Sequence, residues 1–176
     1  MSFVQNKIRI LGVDPGFGRV GWGVVEKANG DWAHIAHGCI ETDKKYSFIE
    51  RLLQIQERLN EVIKKYKPNQ AAVEDLFFYK NVKTAIAVGQ ARGVILLTLA
   101  QANLPVDEFT PLQVKQAITS YGRAEKRQLQ KLIQLHLRMK EAPRQDDAVD
   151  ALAIALTCGH SLEFNRKIKL TTEFDN

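Results

Sequence analysis

The sequence predicts an α/β protein built on a five-stranded mixed sheet with helices packed on both faces. Three observations carry that expectation. Three strand-like segments near the start follow one another across short turns, which makes them an antiparallel meander. Two further short strands alternate with long helical patterns, the arrangement of strand–helix–strand crossovers. A chain of 176 residues, 45% apolar and 26% charged, is enough for one domain with a sizeable core and not comfortably enough for two.

The first strand covers residues 7–13 and stops at Asp14-Pro15-Gly16, a strong turn signal. Residues 20–26 and 32–41 supply the next two. Over 47–66 the apolar residues Phe48, Leu52, Ile55, Leu59, Val62 and Ile63 recur at the spacing of an amphipathic helix, which Pro68 ends. Residues 71–73 form a short buried strand closing on Glu74. A second helix spans 82–102 and is rich in small residues, among them Ala85, Gly89, Ala91 and Gly93. The fifth strand, 106–109, leads into Thr110-Pro111, an N-cap followed by a first helical residue. Helical patterns run on through Thr119 and again over 124–139, and after Pro143 a last helix begins near Asp146, which is read as its cap. The order βββαβαβ followed by helices suits a ribonuclease-H-like fold. Residues 1–160 are expected to form that domain, with 161–176 a polar, flexible tail.

Formal net charge is +5 and the isoelectric point about 9.2, which favours an anionic partner. The charge is local: residues 110–144 carry eight Lys or Arg against two acids, so the remainder is close to neutral. Cys39 and Cys158 offer neither metal-ligand spacing nor a disulfide framework, and a reducing compartment is the default. The longest apolar stretch, 94–100, is interrupted by Thr98 and is too short to span a bilayer, so a cytoplasmic protein is expected.

Asp14 and Glu74 each close an otherwise apolar strand. If those strands lie parallel and adjacent, both carboxylates emerge at the carboxyl edge of the sheet, where open α/β sheets bind ligands. Asp147 and Asp150 lie three apart near the start of the last helix and share one of its faces. Four converging carboxylates repel one another unless a cation offsets them. Hard oxygen donors select Mg2+, with Mn2+ able to substitute. Two such ions about 4 Å apart would activate a water and stabilise the leaving 3′ oxygen of an in-line displacement at phosphorus. Each acid also has an ordinary structural role available, as turn residue, helix cap or strand end; their joint placement favours the metal reading.

Four blocks carry a resemblance to a known family. ILGVDPGFGRVGWGVV looks like the opening strand pair of RuvC resolvases, and AAVEDLFFYKNVKTAIAVGQARGVIL resembles their second acidic motif and long helix. FTPLQVKQAITSYGRAEKRQLQKLI is similar to their basic segment, and DDAVDALAIALTCGH to their carboxy-terminal acidic helix. In series these blocks cover nearly the whole chain. The resemblance implies a structure-specific endonuclease that resolves four-way DNA (Holliday) junctions by paired, symmetric nicking in recombination and repair. It implies Asp14, Glu74, Asp147 and Asp150 as catalytic metal ligands for two Mg2+ ions per site, and Lys115 and Lys126 as lysines that approach the cleaved phosphate. An ammonium there would offset charge that grows in the transition state. Among Phe77, Phe78 and Tyr79, the family comparison points to Phe77 as the residue that stacks on an unpaired base. Lys80 follows it as a DNA contact, and Arg19, between the first two strands, is a candidate phosphate contact. A two-fold homodimer and a RuvA–RuvB branch-migration complex are the partners that the resemblance implies.

Rival readings are an actin-like ATPase, a non-catalytic junction binder and a nuclease of the same fold acting on another nucleic acid. The first needs a second domain and another glycine-rich phosphate loop, for which the chain is too short. His34 and His37 are expected to face opposite ways on their strand, which makes them poor metal partners.

Overall fold

Alternation along each strand decides which side of the sheet a residue serves, and the core follows that rule. The structure, a computed structural model, describes residues 7–28, 30–75, 82–119 and 125–174. Its elements are β1 (Arg9–Asp14), β2 (Arg19–Ala28), β3 (Asp31–Glu41), α1 (Phe48–Tyr66), β4 (Gln70–Glu74), α2 (Val82–Gln101), β5 (Val106–Phe109), α3 (Pro111–Thr119), α4 (Lys126–His136) and α5 (Asp146–Phe174). The sheet order is β3-β2-β1-β4-β5. β1, β2 and β3 form the antiparallel meander, while β1–β4 and β4–β5 pair in parallel.

Two apolar layers flank the sheet. Leu11, Val13, Val24, Ala71 and Val73 face α1 and α2, packing on Ile55, Leu59, Ala91, Ile95 and Leu99. Ile10, Val25 and Ala72 face the other way, toward Val114, Ile118, Leu129, Ile133 and the buried residues of α5, Val149 and the run from Leu152 to Leu156 among them. The expected mixed sheet with helices on both faces is therefore the architecture.

Local chemistry fixes the helix ends. Ser47 caps α1 in a box with Glu50, its Oγ accepting from the Glu50 N–H at 3.3 Å and the Glu50 carboxylate accepting from the Ser47 N–H at 2.7 Å. Lys67 ends the helix in the left-handed region, φ 48°, just before Pro68. Thr110 caps α3 as expected, its Oγ1 accepting from the Gln113 N–H at 3.2 Å.

Four expectations are corrected. Asp146 is not the cap of α5 but its first helical residue; Gln145 precedes the helix, and its carbonyl accepts from the Ala148 and Val149 N–H groups. α4 stops at His136, short of residue 139, because Leu137 and then Arg138 at φ 50° break the helical path. His34 and His37 do not face opposite ways. The β2–β3 register shifts between Val24, opposite Ala36, and Val25, opposite His34, so Ile35 is an extra residue. That bulge turns both imidazoles to one side, where Nε2 of His34 lies 2.8 Å from Nδ1 of His37. In addition, α5 does not end near His160 but continues to Phe174, through most of the segment expected as a tail.

Candidate active site

The parallel pairing of β1 with β4 assembles the site. Val13 stands opposite Val73, and Asp14 and Glu74 are the next residues along those two neighbouring strands. Both acids therefore leave the sheet at the same carboxyl edge, as the sequence reading required. Asp147 and Asp150 come from the first turns of α5, which lies across β1 and β2.

Glycines let α5 lie that close. A Cβ at Gly12 would run into the carbonyl oxygen of Ala151, and one at Gly21 into that of Asp147. A Cβ at Gly23 would stand 2.7 Å from Cδ2 of Leu152. These three glycines sit on one side of β1 and β2, with Gly12 opposite Gly23 in the ladder, and form a floor on which the helix backbone rests. The close approach brings the carboxylates of α5 to those of the strands.

The electrostatics report that crowding. Burial, then Glu74, Asp150 and Asp147, push the Asp14 carboxyl up to about 8 against the repayment from Lys126. Burial and then Asp150 raise Glu74 to about 7, with Lys115 acting in the opposite direction. Asp150 is raised as well, chiefly by burial, with Asp146 and Asp147 adding to it and Lys126 and Lys115 opposing it. Among the described residues no three of these acids close up into a metal shell, although they lie within electrostatic reach of one another. Their donor chemistry is uniformly hard oxygen, which fits a divalent cation such as Mg2+.

Basic groups ring the acids. Arg19 Nε lies 3.1 Å from Asp147 Oδ2, and Lys126, the first residue of α4, places Nζ 3.2 Å from Asp146 Oδ2. Lys115 and Lys126 also line a cavity of about 310 Å3 with Glu74, Asp150, Pro111, Val114 and Leu129. The structure thus brings together Asp14, Glu74, Asp147, Asp150, Arg19, Lys115 and Lys126. Phe77 and Lys80 lie outside the described residues, as do Phe78 and Tyr79.

Two arginines beside the site were missed by sequence reasoning. Arg51 of α1 braces the turn after Asp14: its guanidinium lies 3.9 Å from the Phe17 ring centroid and donates to Thr42 Oγ1 at 3.0 Å, and that hydroxyl donates to the Phe17 carbonyl at 2.7 Å. Arg92 of α2 donates through Nε to the Glu74 carbonyl at 3.2 Å. Nothing in either helix's periodicity marks them, since both are ordinary charged positions on amphipathic or mixed helices. The glycines on β1 and β2 were the available signal for the close approach of α5, because glycine inside a strand often marks a neighbouring backbone.

Known proteins resemble this chain in sequence and fold. The sequence pattern of the family described as crossover junction endodeoxyribonuclease RuvC matches residues 10–158. A crossover junction endodeoxyribonuclease RuvC from Thermosipho melanesiensis is 53% identical over 148 residues, which are 84% of this chain and 94% of that protein. The RuvC of Thermotoga maritima is 47% identical over 171 residues, covering 97% of this chain and all of its own length. Among solved structures, Thermus thermophilus RuvC in complex with a Holliday junction substrate superimposes with a TM-score of 0.80 at 36% identity, over 85% of this chain and 92% of that one. Identity of this extent across nearly the whole length of both partners, on the same sheet and with the acids at one edge, places the chain in the RuvC family of crossover junction endodeoxyribonucleases.

Proposed function

We propose that this chain resolves four-way DNA junctions by paired, symmetric, divalent-metal-dependent nicking, with residues 1–160 as the nuclease domain. Asp14, Glu74, Asp147 and Asp150 would hold two Mg2+ ions, with Mn2+ as an alternative. The observation that carries the reading is the meeting of these acids at one sheet edge, where crowding and burial raise Asp14 and Glu74 into the neutral range. Membership of the family supplies the substrate class, and the Thermus thermophilus relative was solved with a Holliday junction.

When bound, Mg2+ supplies the positive charge and the water activation that phosphodiester hydrolysis needs. The protein's own part is to place donors and protons. Asp14 and Glu74 must give up their protons at neutral pH to become ligands, so loading is coupled to proton release. Lys126 and Lys115, on the rim of the cavity beside Glu74 and Asp150, are positioned to offset charge on the phosphate. Arg19, paired with Asp147 and with a side chain 58% exposed, can turn outward to a backbone phosphate. Phe77 and Lys80 are assigned to DNA contact on the family's pattern alone.

Symmetric nicking calls for two copies of the site, and α2 offers the face for a homodimer. Ile86 and Leu97 are 59% and 55% exposed, and a Cβ added at Gly89 or Gly93 meets nothing within 4 Å. These four positions form one stripe along the helix. By length and composition residues Thr84–Gln101 would even suit a membrane span, at mean hydropathy 1.2, although Ala91, Ile95 and Leu99 pack into the core. An isologous contact along the stripe would bury it and set two sites in two-fold register. A RuvA–RuvB complex in the cytoplasm is the partner assembly proposed with it.

The test is one incubation with Mg2+ of a synthetic four-way junction, the matched duplex and an RNA–DNA hybrid. Symmetric nicks in the junction with both other substrates intact are expected. Hybrid cleavage would instead identify a nuclease of the same fold with another substrate, and junction binding without cleavage a non-catalytic binder.

A further inference from the structure

We infer that Arg92 is a positioning residue for Glu74: from the side of the sheet opposite α5, its guanidinium holds the strand end that carries the carboxylate. The inference rests on Glu74 being part of the nuclease site proposed above.

Three contacts converge on this one side chain, which is only 16% exposed. Nε donates to the Glu74 carbonyl at 3.2 Å, Nη2 pairs with Glu108 of β5, and Nη2 lies 3.4 Å from Asp75 Oδ1. Strand alternation explains the geometry. Val73 and Val106 face α1 and α2, so Asp75 and Glu108, two residues further along their strands, face the same way. Glu74 points to the other side, where Asp150 and Lys115 surround it. Arg92 therefore cannot reach the Glu74 carboxylate's partners; it acts on the main chain beneath them.

That main chain is also tied to β5. The Asp75 N–H bonds the Phe109 carbonyl at 2.8 Å, which is the last described rung between β4 and β5. A planar guanidinium with its donors in a fixed fork ties α2, β4 and β5 together at this point in a way that a flexible ammonium does not. It also places one positive charge between Asp75 and Glu108, next to a strand end that already carries Glu74. Without it, Asp75 and Glu108 repel across the strand end and Glu74 shifts with the backbone. Arg92 also neighbours Gly93 of the exposed α2 stripe, so a partner seated on that stripe would bear on the same helix that braces Glu74.

The experiment uses the full chain with Arg92→Ala, Arg92→Lys and Glu108→Gln. Three quantities are read: junction affinity in Ca2+, single-turnover nicking against Mg2+ concentration, and Mn2+ binding without DNA by calorimetry. Arg92→Ala is expected to bind junction within about twofold of wild type yet nick about 100-fold more slowly, the cost of misplacing a ligand by about 1 Å. Its Mn2+ affinity should fall several-fold, and millimolar guanidinium should restore part of the rate. Arg92→Lys should lie between Arg92→Ala and wild type, and Glu108→Gln, which leaves the Nε bond to Glu74 in place, should stay within about threefold. If Arg92→Ala does not fold, the comparison of Arg92→Lys with wild type decides. Wild-type nicking and Mn2+ binding by the Arg92 variants would overturn the inference. So would a loss of junction affinity parallel to the loss of rate, which marks general destabilisation. Failure of the nuclease reading is separate: it would appear as normal nicking by Glu74→Gln.

Discussion

Replacing Asp14 with Asn tests the site through stability as well as through activity. The carboxyl ordinarily titrates at 3.8 and is raised to about 8 by burial and by Glu74, Asp150 and Asp147. Between those two values the folded chain keeps a proton that the unfolded chain has released, so stability is lost as pH rises through that interval. At about 1.4 kcal/mol per unit, an isolated group would cost of order 5 kcal/mol above pH 8. The acids share their protons, so about half of that is the expected effect of one substitution. Asn keeps the shape, cannot ionise and escapes the penalty. In EDTA at pH 8, Asp14→Asn should therefore melt roughly 5–10 °C above wild type, and at pH 5 only about 2 °C above. Mg2+ should reverse the order by stabilising wild type more than the variant. Junction binding should persist or improve, since less negative charge faces the phosphates, while nicking falls by orders of magnitude. Paired thermal melts, gel shifts and nicking assays on one junction make the measurement. A variant that is less stable than wild type at pH 8 in EDTA, or that nicks at a near-normal rate in Mg2+, would refute the reasoning.

Lys126→Ala should slow nicking about 100-fold, while Arg138→Ala changes it less than twofold, because Lys126 lines the cavity beside Glu74 and Asp150 whereas Arg138 pairs with Asp31 at 2.7 Å. Equal losses in a single-turnover assay would reduce Lys126 to a general phosphate contact. Mn2+ affinity should climb about a hundredfold per pH unit below pH 7, about tenfold between pH 7 and pH 8, and level off above pH 8, as Glu74 and Asp14 give up protons at about 7 and about 8. Calorimetry in buffers of different ionisation enthalpy counts the protons released, and none released at pH 6.5 would contradict the raised carboxyls. Gly21→Ala should cost about 1–3 kcal/mol and most of the activity, since the added Cβ meets the Asp147 carbonyl and must lift the start of α5. Wild-type melting and nicking of that variant would show that α5 has room to spare.

The sequence by itself determined the elements and where charge interrupts them. Short apolar runs in β1 and β4, ending on Asp14 and Glu74, and a period near 3.6 in α1 are local patterns, and so is the Thr110 cap. The acids of α5 shared a face for the same local reason. What no local pattern carries is which elements touch. Asp14 and Glu74 stand sixty residues apart and meet only because β1 pairs in parallel with β4. The bulge at Ile35, which turns His34 and His37 to one side, comes from the β2–β3 register and not from the alternation within β3. Asp146 looked like a cap because acids favour helix starts, yet the tertiary structure begins the helix at Asp146 and gives that side chain to Lys126. Arg92 looked like one more charged helix residue until β4, β5 and α2 placed Glu74, Asp75 and Glu108 around it. Local backbone preference acts within a few residues, whereas burial, strand register and the mutual repulsion of carboxylates act between segments that only the folded chain brings together.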